Sequence, residues 1–296
     1  MIRCLIVLTL VVACLTTNPA RPPVRLSAGS EELSLVFPTG EMNASADRSS
    51  TNPLALLEES ARRYSQEYRG FRATLHKQER LDAVLHPPEV VQMSLRESPY
   101  AVRFLWKEGA RAPMLAGVSL GKVEGVLYAA GENRGQMLIW RPSAFFSKLM
   151  PIDPLGDSAR CAARYSATEA SLGQVARRTW RAWEAARRRG ESPAQYLGVR
   201  SIPEVGGQLC HVLHRVCAEP EYDNFLSTEP RRIAPPQARD AFTEVTVYLD
   251  IGTGLQVGSE QKNAQGEVVG RYFFTAIEKN PQFAADEFRP NSLRKE

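Results

Sequence analysis

From Pro53 to Tyr68 the apolar residues Leu54, Leu57, Ala61, Tyr64 and Tyr68 recur at three- and four-residue steps, while Glu58, Arg62, Arg63 and Glu67 fill the opposite side. That spacing predicts an amphipathic helix with one packed face and one wet face. Thr51 or Asn52 can cap it, Pro53 suits the first helical position, and Gly70 is its stop. After Gly70 the period falls to two. Phe71, Ala73 and Leu75 alternate with Arg72, Thr74 and His76; Val91, Met93 and Leu95 alternate with Gln92, Ser94 and Arg96; Val102, Phe104 and Trp106 alternate with Arg103 and Lys107. These are half-buried antiparallel strands, with breaks at His86-Pro87-Pro88 and Ser98-Pro99 because proline cannot donate to a ladder.

Farther along, Val123 to Ala130 and Gln136 to Trp140 form a predicted hairpin around Gly131-Glu132-Asn133-Arg134-Gly135. A second helix is expected from Ser166 and Glu169, which have capping-box spacing, to Arg189, with Gly190 as its stop. Leu172, Val175, Ala176, Trp180 and Trp183 make its packing stripe. Arg177, Arg178, Arg181, Arg187, Arg188 and Arg189 are assigned to its outer surface. Gln208 to Val216 is a further strand, followed by a proline-rich loop from Glu219 to Gln237. The segments Thr243 to Leu249, Leu255 to Gln261 and Glu267 to Ile277, joined by short turns, read as a three-strand meander.

Ahead of the first helix the pattern is different. Met1-Ile2-Arg3 supplies one positive charge and Leu5 to Ala13 a short apolar run, which is the grammar of an export signal over residues 1–20. The run falls short of the roughly 20 residues that a membrane-spanning helix needs. Val11-Val12-Ala13-Cys14 has the spelling of a bacterial lipobox, so two readings stand: lipidation of Cys14, or ordinary secretion. Residues 21–50, rich in Pro, Ser, Thr, Ala and Asn, carry no sustained period and read as a flexible tether. Residues 51–296 are then expected to form one domain. The expected location is the periplasm or a membrane-tethered place in the cell envelope.

Composition narrows the function. A hydrophobic content of 43% allows an ordinary core, and a net charge of +4 spread over a chain with 33 acidic residues argues against a nucleic-acid partner. Of Cys161, Cys210 and Cys217, the last two cannot pair if they share one strand, so a single bridge from Cys161 to one of them is the most an oxidising compartment allows; one free, buried thiol is expected.

Several stretches together resemble a known family. Tyr68 to Arg80, ending Lys77-Gln78-Glu79-Arg80, then Ser98-Pro99-Tyr100-Ala101-Val102 leading to Trp106, then Tyr128 and Gly131-Glu132-Asn133 with Gly135, resemble the bacterial DUF1571 family. That family is similar to the LolA-like carriers that sort outer-membrane lipoproteins. The meander Val247-Tyr248-Leu249-Asp250 through Thr253-Gly254-Leu255, Gly266, Phe273-Phe274 and the late Phe288 share that character. The resemblance implies an α+β fold: a curved antiparallel β-sheet, an unclosed LolA-like barrel, with two or three covering helices. The long Gly109 to Gly121 stretch departs from the pattern, and no ligand-contacting residue carries over.

Candidate chemistry is sparse. Gly117-Val118-Ser119-Leu120-Gly121 spells a hydrolase nucleophile elbow, with His211 or His214 as a possible base, but the elbow requires a helix after the serine and the following segment reads as a strand. Cys210-His211-Val212-Leu213-His214-Arg215-Val216-Cys217 would gather metal ligands on a helix, yet on a strand it splits them between two faces. No cofactor is implied and no enzyme activity is expected; serine hydrolysis stays a remote alternative. The leading expectation is a monomeric envelope protein that binds a lipid or lipoprotein acyl chain between the sheet and the helices, with Val91, Met93, Leu95, Val102, Phe104 and Trp106 as cavity candidates. The alternative is a structural or interaction module without a small ligand, held at the membrane by a Cys14 lipid.

Overall fold

The computed structural model describes residues 52–111, 114–115, 118–119, 122–142, 148–160, 162–221 and 238–294. The predicted signal, the tether, Cys14 and Cys161 lie outside the described residues, as do most of the proline-rich loop and the side chain of Ser119.

Helix α1 spans Pro53–Glu67. Asn52 caps it, its Oδ1 accepting from the Leu54 N–H at 3.0 Å, and Pro53 takes the first position. The helix stops before Gly70 because Tyr68 is already extended, its N–H donating to the Tyr64 carbonyl. Tyr68 nevertheless stays on the packed side: its ring stacks on Tyr64 with centroids 4.9 Å apart.

The chain then enters the strand β1 (Gly70–Leu81), followed by a short β2 (Val84–Leu85), β3 (Glu89–Glu97) and β4 (Tyr100–Glu108). A two-stranded ribbon, β5 (Met114–Leu115) with β6 (Val118–Ser119), precedes the predicted hairpin β7 (Gly125–Ala129) and β8 (Met137–Arg141). The hairpin turn works as its composition suggests, with Asn133 and Arg134 in the left-handed region between Gly131 and Gly135. Strand β9 (Lys148–Ile152) and the four-residue helix α2 (Asp157–Arg160) follow. After the long helix α3 (Leu172–Arg188) come β10 (Gln195–Ile202) and β11 (Gln208–Glu221), then the meander β12 (Phe242–Asp250), β13 (Gln256–Lys262) and β14 (Val268–Lys279).

These strands join in one antiparallel sheet in the order β10-β11-β12-β13-β14-β1-β3-β4-β7-β8-β9, with β2 attached to β1. The last strand of the meander pairs with the first strand of the chain, so β1 sits mid-sheet: Leu75 lies opposite Val91 on β3 and Phe274 on β14. The two edges, β10 and β9, do not meet, so the barrel is unclosed. Register shifts recur between β1 and β14, β3 and β4, β11 and β12, β12 and β13, and β13 and β14. Extra residues of this kind bend a strand and increase its twist, which is how an antiparallel sheet of this width curls.

Alternation puts the apolar faces where the periodicity implied. On the inner face, Tyr64 and Tyr68 from the first helix region and Leu172 from α3 pack on Phe71, Leu95 and Val102; Leu57 and Trp183 pack on Leu213, Val247 and Leu249. On the outer face of β4, β7 and β8, Ala101, Leu127, Leu138 and Trp140 are covered by Phe283, Phe288 and Leu293 from the C-terminal segment.

Two expectations are corrected. The second helix begins at Leu172: Ser166 caps a separate 3-10 turn, Ala167–Glu169, and Ser171 caps α3 itself, its Oγ accepting from the Gln174 N–H. Arg178 is not on the outer surface, because it lies over the Tyr165 ring at 4.1 Å and pairs with Glu169 at 3.5 Å. Cys210 and Cys217 are both buried, and Cys210 is a free thiol, in line with the one expected. Strands β9 and β10 have no counterpart among the predicted elements. Among the described residues no helix is long and apolar enough to cross a membrane.

Candidate ligand cavity

Helices α1 and α3 fill only one end of the inner face. The rest is a cavity of about 1070 Å³. Every strand on the sheet path except the edge strand β10 sends side chains to it, which is possible only because the sheet wraps round the space. Met93, Phe104, Val126, Ile139 and Phe274 give the apolar floor, and Val175, Thr179 and Ala182 of α3 give the roof. The space is just above the range of about 300–1,000 Å³ usual for small-molecule sites.

Of the six cavity candidates, Val91, Met93, Phe104 and Trp106 line this space. Leu95 and Val102 do not; they lie on the same face but under Tyr64, Tyr68 and Leu172, where the helices occupy the hollow. Alternation identifies the face, and only the crossing of the helices decides which part of it stays open.

One end of the cavity is polar. The alternation that turns Leu75 inward also turns Lys77 and Glu79 inward, and Glu89 precedes Val91 and Met93 on the same side of β3. Glu79 and Glu89 are each 1% exposed. The Lys77 ammonium lies 3.0 Å from Glu79 and 3.5 Å from Glu89, and Arg111 reaches both, its Nε 2.9 Å from Glu89 Oε1 and its Nη2 3.4 Å from Glu79 Oε2. The close Arg111–Glu89 approach is an ionic contact without the alignment of a hydrogen bond. Trp106 Nε1 donates to Glu89 at 2.6 Å and the Tyr272 hydroxyl donates to Glu79 at 2.9 Å. Burial alone would raise the carboxyl pKa of Glu79, but Lys77, Arg111 and the Tyr272 hydroxyl outweigh it and hold it below the usual value. Two cations and two carboxylates thus form a closed, neutral box.

Nearby, Gln261 donates to the Tyr165 hydroxyl at 2.9 Å, and Arg215, 1% exposed, pairs with Glu191 at 2.8 Å. Gln256 is buried at the wall with its Oε1 lacking a hydrogen-bond partner among the described residues. Beyond a charged residue in phase with an apolar face, no motif or spacing in the sequence marks these groups as a site.

The other candidates resolve into ordinary structure. The backbone of Ser119 belongs to a two-residue strand paired with β5, and the next described element is the strand β7, so no helix follows the serine. His211 Nδ1 is 2.9 Å from the Tyr196 hydroxyl and His214 Nδ1 is 3.1 Å from Thr246 Oγ1. The octapeptide around them is part of β11, and among the described residues no group of three His, Cys, Asp or Glu side chains converges as a metal site. Burial and the neighbouring Asp250 push the Cys210 thiol up to about 11, which leaves it unreactive.

The family described as "Protein of unknown function (DUF1571)" matches residues 68–294, from the last turn of the α1 region to the C-terminal segment. The chain belongs to the DUF1571 family. No curated protein matches it. Among solved structures, this DUF1571 chain is similar to a putative outer membrane lipoprotein-sorting protein domain from Vibrio parahaemolyticus, with 10% identity over 81% of this chain and 97% of that one and a TM-score of 0.33. It is similar to the lipoprotein LppX from Mycobacterium tuberculosis, with 14% identity over 78% of this chain and 96% of that one and a TM-score of 0.36. It is also similar to the Pseudomonas aeruginosa MucA/MucB complex, with 16% identity over 81% of this chain, 61% of that chain and a TM-score of 0.40.

Proposed function

We propose that this protein is a non-enzymatic binding protein of the cell envelope that holds the acyl chain of a lipid or lipoprotein in the space between the sheet and α3. The observation that carries this reading is the cavity of about 1070 Å³, whose floor is apolar, whose roof is largely so, and whose densest cluster of charges lies at one end. A hollow of this kind in a domain able to fill it with its own helices is a site that awaits an apolar occupant. Each 100 Å² of apolar surface that a chain removes from water there contributes about 2.5 kcal/mol. The envelope location rests on the export grammar of residues 1–20.

Ala182 is accessible on the roof of the cavity, so an indole placed there occupies ligand space without entering the packed core. The full chain is expected to bind a fluorescent fatty acid, and Ala182→Trp to weaken binding about tenfold or more, near 1.4 kcal/mol, with the thermal midpoint held. Equal affinities for the two proteins, or no binding by either, would defeat the reading.

A second reading has one observation in its favour. Strand β10 is a sheet edge, and Val199 on it and Leu209 beside it are 46% and 49% exposed. An interaction module would use such an edge for strand addition. The arginine-rich end of α3 suits that role less well, because Arg187 and Arg188 share Glu184 and Arg189 pairs with Glu191, which leaves little free charge there.

A further inference from the structure

The charges that face the cavity are mostly cancelled. Lys77 and Arg111 are matched by Glu79 and Glu89, Arg178 by Glu169, and Arg215 by Glu191. Two lining charges have no described partner: Asp82, which is exposed to solvent at the rim, and Arg141. Arg141 lies at the end of β8 in phase with Met137 and Ile139, and all three line the cavity. Its Nε is buried and has no hydrogen-bond partner among the described residues, and no described carboxylate pairs with it. Its register partner on β9 is Lys148, so the ladder places no acidic residue opposite it. Burial lowers the pKa of Arg141, and no neighbouring acid offsets that effect. Holding a guanidinium half out of water without a counterion is costly unless something supplies the negative charge.

The position fits a bound head group. β8 runs beside β7, whose Val126 adjoins Ile139 and Phe104, and these lead along the apolar floor towards Met93. The neutral box of Lys77, Arg111, Glu79 and Glu89 adds no net attraction for an anion, and Asp82 is exposed at the rim, so the unpaired cation with a buried donor is Arg141. We propose that the ligand is an anionic amphiphile, whose carboxylate or phosphate head group pairs with Arg141 while its hydrocarbon chain lies on Ile139, Val126, Phe104 and Met93. This rests on the acyl-chain reading above and adds the head-group class to it.

The test compares palmitate with methyl palmitate, which has nearly the same chain and no charge, on the full chain at neutral pH. The wild type should prefer palmitate by about tenfold or more, the scale of a charge-assisted hydrogen bond in a site shielded from water. Arg141→Gln should collapse that preference towards one, and Arg141→Lys should keep most of it. Removing a cation that has no protein partner should leave the thermal midpoint level or raised, so the loss is not one of folding. Acetate in excess should not displace palmitate, since the anion is held through its chain. Binding of both probes with no preference, or a preference that survives Arg141→Gln, overturns the head-group assignment and leaves the cavity reading standing. Displacement by acetate shows a free-anion site and overturns the assignment as well. If neither probe binds, both readings fall.

Discussion

Glu79 shows how a single inward charge is held at a place where alternation would otherwise put an apolar side chain. Its folded-state pKa lies below the ordinary value, against the effect of burial, because Lys77, Arg111 and the Tyr272 hydroxyl stabilise the charged form. A carboxylate with a depressed folded pKa stabilises the fold fully above its unfolded value, about 4.3 for Glu, and loses that contribution as the pH falls through the folded value. Stability should therefore decline below about pH 4.3. The ion-paired Glu287, whose pKa is also lowered against burial by the hydrogen bonds from Arg72 and Ser94, adds to the same loss. Replacing Glu79 by Gln leaves Lys77 and Arg111 with one carboxylate between them and is expected to cost about 3–5 kcal/mol in urea unfolding at pH 7. The same variant should show a shallower loss of stability between neutral and acid pH than the wild type. An unchanged acid slope would mean that Glu79 is not paired as described.

At the scale of elements, one tight contact is between the two helices. A methyl group on Gly173 would stand 2.3 Å from the Tyr64 ring, so α1 and α3 cross where one of them has no side chain. Gly173→Ala should destabilise by about 1–3 kcal/mol through overpacking, although alanine favours helix, and the measurement is again the urea midpoint. Gly173→Ala in the background of Tyr64→Ala should lose most of that penalty. This contact also marks the limit of what the pattern of residues could reveal. The helix α1, the strands β1, β3 and β4 and the closing meander were legible because each has one apolar and one polar face, while β7 and β8, apolar on both faces, were legible from the turn-forming cluster Gly131 to Gly135 between them. Strand β9 was not, since Lys148-Leu-Met-Pro-Ile lacks that alternation, and neither was the register that brings β14 beside β1. The late start of α3 was hidden because Ser166 and Ser171 are both competent caps, and the approach of Gly173 to Tyr64 is a tertiary fact. The inward face was legible, and so were four of the residues on the cavity wall. Which part of the face stays hollow depends on where the helices cross, and periodicity carries no information about that.

On the scale of the whole molecule, the sheet is covered on both sides by different means, and the two coverings should be separable. The inner side holds helices and a hollow. The outer side of β4, β7 and β8 is sealed by the C-terminal segment, where Phe288 packs edge-on against Phe283 with centroids 5.0 Å apart and the Arg96 guanidinium lies over its ring. The segment is also tied down by Glu287, which is 2.7 Å from Arg72 and 3.4 Å from Arg103. Phe288→Ala removes an aromatic side chain that is 6% exposed and should cost about 3–5 kcal/mol of stability. Because Phe288 lies on the face away from the cavity, the protein that remains folded should bind a fatty-acid probe with the wild-type dissociation constant, when binding is measured well below the unfolding transition. Ala182→Trp should do the opposite, weakening the probe at constant stability. If Phe288→Ala weakened probe binding as strongly as it weakened the fold, the two faces of the sheet would be acting as one cooperative unit, and the hollow would have to be regarded as a product of the outer seal.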